Sequence, residues 1–418
     1  MILNNYNLTS LSNGILVVSE FIPYVKSFSL GFWYNTGSRD ENIKNNGISH
    51  FIEHMLFKGT GKRTAKQISD EIESIGGYLN AFTSKENTCY YGRGLAENFK
   101  KTFTVISDMI QNPLFKDHHI RKESGVVIDE LYDIEDNPEE LIFDKFEEMI
   151  FAGNTLSYPI IGTKENIDSF NSDTLHKFHG ARYKTKHLIV SVSGNINHAD
   201  VIKLTEKYFN SSRSVRNSNR KNFISSESRD ETIEKEIQQV HCIIGRPAYG
   251  YRNPDRIKLN LLSTLLGEGS SSRLFQAVRE KMGMTYQINS FLNSYLDVSA
   301  FGIYYSTNER HAEKVNQIVF RELKKLKETE IKSKELKRVK EYIKGNTLLS
   351  LENTTNRMIR MATSILNYGR LIPVEEMMQK IESVTSEDII ETANEMFDES
   401  KLTKIIIRSR NNLIKKAA

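Results

Sequence analysis

The spacing of apolar residues along the chain changes repeatedly between the period of a strand and that of a helix. Residues 15–19 are a short apolar run rich in β-branched side chains, and apolar positions alternate at the start of residues 28–34, which predicts strands in both segments. In residues 47–58 and 64–76 apolar side chains instead recur every three or four positions, as on an amphipathic helix. A pair of glycines ends the second helix, and residues 78–84 predict a further strand.

Helical patterns dominate the rest of the first half. Residues 99–111 and 116–151 have the helical period, and Asn137 followed by proline predicts that a new helix starts inside the longer segment. Residues 188–194 predict a strand. Residues 211–233 then become rich in Asn, Ser, Arg and Lys and poor in apolar side chains, which is typical of a linker.

The second half repeats the order of elements seen in the first. Residues 166–175, NIDSFNSDTL, resemble residues 380–389, KIESVTSEDI, at a shift of 214 positions. A shift near half the chain length indicates duplication rather than a chance match between unrelated domains. We therefore predict an α+β fold of two related domains, residues 1–210 and 234–418, each a mainly antiparallel sheet packed with helices.

Composition narrows the class of protein. Hydrophobic residues make up 39% and charged residues 26%, as in ordinary globular chains, and a net charge of +4 is too small to indicate nucleic-acid binding. No apolar stretch approaches the roughly 20 residues that cross a bilayer, and the N-terminal residues lack a signal or transit pattern. The two cysteines form no CxxC pair. We expect a soluble cytoplasmic protein without membrane insertion or nucleic-acid partners.

The segment with the clearest chemistry is HFIEH at residues 50–54. One helical turn separates His50 from His54, so both imidazoles lie on one face and can reach one metal ion. Glu53 shares that face and can accept a proton from an activated water. The flanking residues are strongly apolar, and two buried imidazoles beside a carboxylate need a compensating partner. The pattern therefore favours a metal site over two surface histidines, and this HxxEH order occurs in metallopeptidases.

A catalytic zinc site usually takes three protein ligands and keeps one position open. The predicted helix around residues 123–131 offers Glu123 and Glu130, which lie two turns apart on one face. Either could ligate the metal while the other orients a ligand, and Glu130, 76 residues after His54, is the natural third ligand.

Residues 46–60, NGISHFIEHMLFKGT, and 76–86, GGYLNAFTSKE, resemble the pitrilysin family of inverted zincins. They are most similar to its two-domain branch, which includes the β-subunit of the mitochondrial processing peptidase and bacterial homologues. The resemblance implies two domains that face each other across a cavity, with one zinc ion per chain bound by the first domain only. It implies the metal ligands His50, His54 and Glu130, the general base Glu53 and the supporting catalytic residue Glu123.

The resemblance extends to the second half. Residues 267–276, GEGSSSRLFQ, resemble the glycine-rich loop of the family, and Arg279 and Tyr286 resemble an arginine–tyrosine pair that contacts substrate from the second domain. Such a pair can stabilise a developing oxyanion. This half has no HxxEH, and Lys344 stands where the 214-residue shift would place Glu130, so no second zinc is expected.

The family also binds substrate as an added strand on an exposed sheet edge. The matching segment here is Tyr78, Leu79, Asn80, Ala81, Phe82 and Thr83. From the sequence alone, an ordinary interior strand is the alternative.

These observations predict a zinc metalloendopeptidase that hydrolyses extended peptides or unfolded protein segments, as a homodimer like its bacterial relatives. The main alternative is a catalytically silent structural or partner subunit of the same family. Such subunits have typically lost ligands or the base, whereas this chain keeps all of them together with the arginine–tyrosine pair. A third possibility, the β-subunit of an obligate heterodimer, is disfavoured by the missing transit peptide.

Overall fold

A computed structural model describes residues 6–210 and 220–410. The strands of the first segment are β1 (Tyr6–Ser10), β2 (Leu16–Phe21), β3 (Ser27–Tyr34), β4 (Tyr78–Thr83), β5 (Thr88–Leu95) and β6 (Leu188–Gly194). Its α-helices are α1 (Ile48–Leu56), α2 (Ala65–Glu73), α3 (Phe99–Gln111), α4 (Asp117–Asp136), α5 (Pro138–Ile150), α6 (Lys164–Ser169), α7 (Ser172–Arg182) and α8 (His198–Tyr208).

The second segment repeats this alternation. Its strands are β7 (Asp230–Glu234), β8 (Val240–Tyr249), β9 (Thr285–Ser294), β10 (Val298–Thr307) and β11 (Thr403–Arg408). Its α-helices are α9 (Arg256–Gly267), α10 (Glu309–Glu328), α11 (Ser333–Ser350), α12 (Thr354–Tyr368), α13 (Val374–Ser383) and α14 (Ser386–Met396). Within the described residues, no helix combines the length and apolar character needed to cross a membrane.

The strands and helices predicted for the first half are confirmed, including the helix that starts after Asn137. That side chain accepts hydrogen bonds from the backbone N–H groups of Glu139 and Glu140, and proline occupies the first helical turn. The predicted linker is only partly irregular. Residues 211–219 lie outside the described part, and β7 occupies residues 230–234 of the segment expected to be linker. Strand β7 lies at the edge of its sheet and buries little of its surface, so its residues are largely polar and resemble those of a linker.

The first sheet has the strand order β1-β2-β6-β3-β5-β4, and the second has the order β7-β11-β8-β10-β9. Apart from β1, which has no counterpart among the described strands of the second sheet, the two orders are identical when β2, β6, β3, β5 and β4 are matched to β7, β11, β8, β10 and β9. Each sheet is antiparallel except for one parallel pair, β2/β6 and β7/β11. Helices α7 and α14 also begin at equivalent capping residues, Asn171 and Thr385, which are 214 positions apart. The predicted α+β fold of two related halves is confirmed.

The chain divides into two compact units, and each draws on both halves of the sequence. Unit 1 comprises residues 1–132, 158–221 and 349–371, and unit 2 comprises residues 133–157, 222–348 and 372–418. Helix α12 therefore belongs with the first sheet and α5 with the second, in contrast to a simple division at one linker. Packing explains this: Met358 of α12 is fully buried and meets the Trp33 indole N–H at 3.3 Å, whereas Phe146 of α5 packs on Phe291.

Candidate metal centre

Helix α1 is held by its apolar face and by an unusual cap. Phe51, Ile52 and Leu56 are fully buried in unit 1. At the N-terminal end of α1, the buried Glu41 carboxylate accepts hydrogen bonds from the backbone N–H groups of Gly47 and Ser49, both at 2.8 Å. These are N–H groups that the first turn of a helix leaves without an intrahelical partner. Burial raises the pKa of Glu41 to about 7.

Three of the predicted ligands converge in unit 1. The Nε2 atom of His50 lies 3.7 Å from Oε1 of Glu130, and Nε2 of His54 lies 3.5 Å from Oε2 of the same residue. One ligand atom from each of these residues falls within 4.8 Å of the others. Helix α1 supplies the two imidazoles and α4 supplies the carboxylate. Two imidazole nitrogens and a carboxylate oxygen at this spacing suit zinc with one position left open, so the residues fit the metal that the sequence predicts.

The two imidazoles differ in their affinity for protons. Burial, together with the neighbouring His54, lowers the pKa of His50 to about 3, so His50 is neutral at physiological pH. Burial also disfavours the charged form of His54, but a hydrogen bond to Glu123 and the nearby carboxylates outweigh burial and raise the pKa of His54 above its ordinary value. In the metal-free protein, His54 is therefore the imidazole that binds a proton more readily.

Glu123 does not join the cluster of ligand atoms but contacts one ligand from behind. Its Oε1 accepts a hydrogen bond from Nδ1 of His54 at 3.0 Å, and its Oε2 pairs with Nζ of Lys58 at 2.7 Å. The Glu123 side chain is only 5% exposed. Burial opposes its ionisation, but the hydrogen bonds from His54 and Lys58 prevail and hold the pKa of Glu123 below its ordinary value. The geometry fits a carboxylate that orients a ligating histidine.

Glu53 lies on α1, between His50 and His54 in the sequence, and its side chain is bound by a residue of strand β4. Its Oε2 accepts a hydrogen bond from the Thr83 hydroxyl at 2.6 Å. Burial raises the pKa of Glu53, although the Thr83 hydrogen bond and His54 act in the opposite direction. A raised pKa makes the carboxylate a better proton acceptor at neutral pH, as a general base requires.

Strand β4, the predicted substrate segment, is the last strand of its sheet in the described part of the chain. At the turn into β5, the Ser84 N–H donates a hydrogen bond to the Asn87 carbonyl. In an antiparallel pair, every second residue of a strand bonds to its neighbour, so the backbone groups of Leu79, Ala81 and Thr83 point away from β5. The Ala81 N–H is covered by the Asn80 side chain at 2.9 Å. The strand thus presents an edge that ends beside Glu53.

Arg279 and Tyr286 lie in unit 2 and contact each other. The Arg279 guanidinium carbon is 4.7 Å from the centre of the Tyr286 ring, a cation–π arrangement, and Tyr286 is 77% exposed. The structure brings the pair together, and its predicted contact with substrate stays a prediction. In the described residues of unit 2, no group of His, Cys, Asp and Glu matches a metal site, and Lys344 pairs with Glu341 and Glu382.

Two residues at the site were missed by sequence reasoning, Lys58 and Glu41. Lys58 is four positions after His54, and that helical spacing was an available signal. Glu41 precedes α1 by a loop, and its capping role has no signature at fixed spacing. His179 lies outside the metal centre, where its Nε2 contacts the Ile110 carbonyl at 2.8 Å.

Comparisons with known proteins show the family of the chain. A family model described as insulinase (peptidase family M16) matches residues 16–164, and one described as the peptidase M16 inactive domain matches residues 169–343. The chain is 36% identical over 412 residues to an uncharacterized zinc protease of Rickettsia bellii, covering 98% of both chains. It is 35% identical over 399 residues to an uncharacterized zinc protease of Bacillus subtilis, covering 96% of this chain and 97% of that one.

Solved structures share the fold. A protease from Helicobacter pylori superposes with a TM-score of 0.90 at 24% identity, covering 96% of this chain and 99% of that chain. A peptidase M16 inactive domain from Pseudomonas fluorescens superposes with a TM-score of 0.89 at 17% identity, covering 97% and 98%. At such identities the likeness concerns the fold alone.

Proposed function

The chain belongs to the insulinase family, peptidase family M16, as its resemblance to the pitrilysin family predicted, and on that premise we propose that it is a zinc metalloendopeptidase. Its relatives are named zinc proteases, which supports protease chemistry and a zinc cofactor. We further propose that its substrates are extended peptides or unfolded protein segments.

The observation that carries the proposal is the convergence of His50, His54 and Glu130 beside Glu53. One ligand atom from each of the three residues lies within 4.8 Å of the others, a spacing at which the group could hold one metal ion. The base candidate, Glu53, stands on the same helix, is half-buried, and has a raised pKa. A purely structural cluster would not need an imidazole pair, a carboxylate facing both imidazoles and a further carboxylate with a raised pKa at one place.

The roles follow from the contacts. When bound, zinc supplies Lewis-acid chemistry that polarises a carbonyl group and activates water. Glu53, fixed by the Thr83 hydroxyl, accepts the proton of the attacking water and delivers it to the leaving amine. Glu123 keeps the proton of His54 on Nδ1, so that Nε2 presents its lone pair to the metal.

Substrate binding is proposed for two places. The outward carbonyl groups of β4 and the N–H groups of Leu79 and Thr83 can pair with an extended peptide, a mode that reads the main chain more than the side chains and suits broad specificity. Strand β4 ends at Thr83, whose hydroxyl bonds to Glu53, so a peptide paired with β4 would extend towards Glu53. Arg279 and Tyr286 are proposed to contact the substrate from unit 2.

The alternative is a catalytically silent subunit of the same family. Such a subunit has no need to keep the complete set of ligands with a base beside them, and this chain keeps the set in one compact arrangement. Retention of the set supports the enzyme, and activity measurements discriminate between the two.

Removal of zinc tests the proposed function. The purified protein is expected to cleave an internally quenched, extended peptide, to lose cleavage after dialysis against a chelator, and to regain it when zinc is added back. Cleavage by a contaminating protease is excluded with a chelator-treated sample of the Glu53→Gln variant, which should not regain cleavage when zinc is added. Zinc binding without cleavage of any peptide in a diverse library would favour the silent subunit.

Zinc affinity is expected to depend on pH through His54. Only a neutral imidazole ligates zinc, so at pH values below the raised pKa of His54 a proton must leave, and the affinity should fall about tenfold per pH unit as the pH decreases. His50, with a pKa of about 3, is already neutral at those pH values and should release no proton. Competition with a chromophoric chelator between about pH 5 and pH 8 measures the slope. A slope of two decades per unit would contradict the neutral state of His50.

A further inference from the structure

We propose that Lys58 is a positioning residue of the metal centre: it holds Glu123 in the orientation that accepts the His54 Nδ1–H, and thereby strengthens zinc binding by His54. The inference rests on the proposed function, because it requires zinc on His50, His54 and Glu130.

The contacts of Glu123 divide between its two oxygens. Oε1 faces His54 Nδ1 at 3.0 Å, and Oε2 faces Lys58 Nζ at 2.7 Å. The Lys58 side chain is about one-third exposed, at 32%, whereas that of Glu123 is 5% exposed. Lys58 therefore places a positive charge next to a carboxylate that is almost completely shielded from solvent.

The sequence builds this arrangement from two helices. His54 is in the last turn of α1, and Lys58 follows the helix end, where its N–H still bonds to the Met55 carbonyl. Four positions separate His54 from Lys58, so both side chains reach the same side, where α4 presents Glu123. Two residues of one short segment, His54 and Lys58, thus each bind one oxygen of the Glu123 carboxylate.

Loss of the lysine would leave Oε2 of a buried carboxylate without its ionic partner. Removing one member of a buried ion pair is unfavourable because the remaining charge is uncompensated. The carboxylate can then relieve that cost only by turning towards water or by binding a proton, and either change weakens its hydrogen bond with His54. Residues that orient a metal-bound histidine typically change metal affinity about 10- to 100-fold when they are replaced.

His54 depends on this support more than His50 does. Within the described residues, the buried Nδ1 atom of His50 has no hydrogen-bond partner. Glu123 is thus a carboxylate that supports one imidazole of the pair, and Lys58 is the cation that holds Glu123. The effect of Lys58 should consequently pass through Glu123 and not through the general charge of the protein.

The test is the zinc dissociation constant of full-length variants, measured by competition with a chromophoric chelator. Lys58→Met should weaken zinc binding about 10-fold or more, and Lys58→Arg, which keeps the charge and the donors, should restore most of it. Lys66→Met is the matched control, because it removes a lysine from an exposed ion pair with Asp70 on α2. Far-ultraviolet circular dichroism verifies that each variant is folded.

A double-mutant cycle with Glu123→Gln separates the proposed route from a general one. If Lys58 acts through Glu123, Lys58→Met should have little further effect in the Glu123→Gln background. Equal weakening in both backgrounds would overturn the inference, as would unchanged zinc affinity in Lys58→Met. A wild-type protein that fails to bind zinc would instead refute the proposed function, so the two failures are distinguishable.

Discussion

We expect the Glu53→Gln variant to bind zinc as the wild type does while its peptide hydrolysis falls by about 100- to 10,000-fold. Glutamine keeps the shape of the side chain and an oxygen that can accept the Thr83 hydrogen bond, but it cannot take a proton from water. Because Glu53 is not among the three clustered ligand residues, metal content should be preserved. The measurements are the rate of cleavage of a quenched extended peptide and the zinc content of the same sample.

Glu73→Gln serves as the control for this variant. It makes the same chemical change at an exposed position of α2 and should retain the wild-type rate. A Glu53→Gln protein that cleaves the peptide as fast as the control would rule out Glu53 as the general base.

Glu130→Gln is expected to weaken zinc binding at least as much as loss of a supporting residue does, about 100-fold, and to lower activity in proportion at limiting zinc. The carboxylate supplies the negative charge and the third ligand atom facing both Nε2 atoms, and a neutral amide is a poorer ligand. Equilibrium competition for zinc gives the dissociation constant, and activity at saturating zinc shows how much of the loss is metal binding.

Asp129→Asn is the matched control, because it neutralises an exposed acidic residue adjacent to Glu130 on the same helix. It should bind zinc like the wild type. Unchanged affinity in Glu130→Gln would mean that another residue is the third ligand. Glu123 is a poor substitute, because His54 and Lys58 already occupy both of its oxygens.

Much of the site could be predicted because its information is local. The positions of His50, Glu53 and His54 follow from one helical turn, and α1 formed where the apolar period predicted it. Glu123 and Glu130 are likewise two turns apart on α4. The shift of 214 residues predicted the duplication that the two sheets display, because a repeated sequence folds into a repeated strand order.

The rest depends on contacts between segments far apart in sequence. No local pattern indicates that α12 packs on the first sheet, since an amphipathic helix shows that it has an apolar face but not which surface covers it. Strand β7 escaped notice because an edge strand can be largely polar. The Lys58 contact required the placement of α4 against α1. The homodimer, the cytoplasmic location and the cavity between domains stay predictions.

The most direct test of the central claim is anomalous X-ray scattering at the zinc edge, from crystals of the wild-type protein supplied with one equivalent of zinc. One strong peak per chain is predicted, about 2.0–2.2 Å from Nε2 of His50, Nε2 of His54 and a carboxylate oxygen of Glu130. A zinc peak bound by other residues, or no peak between these three side chains, would contradict the account.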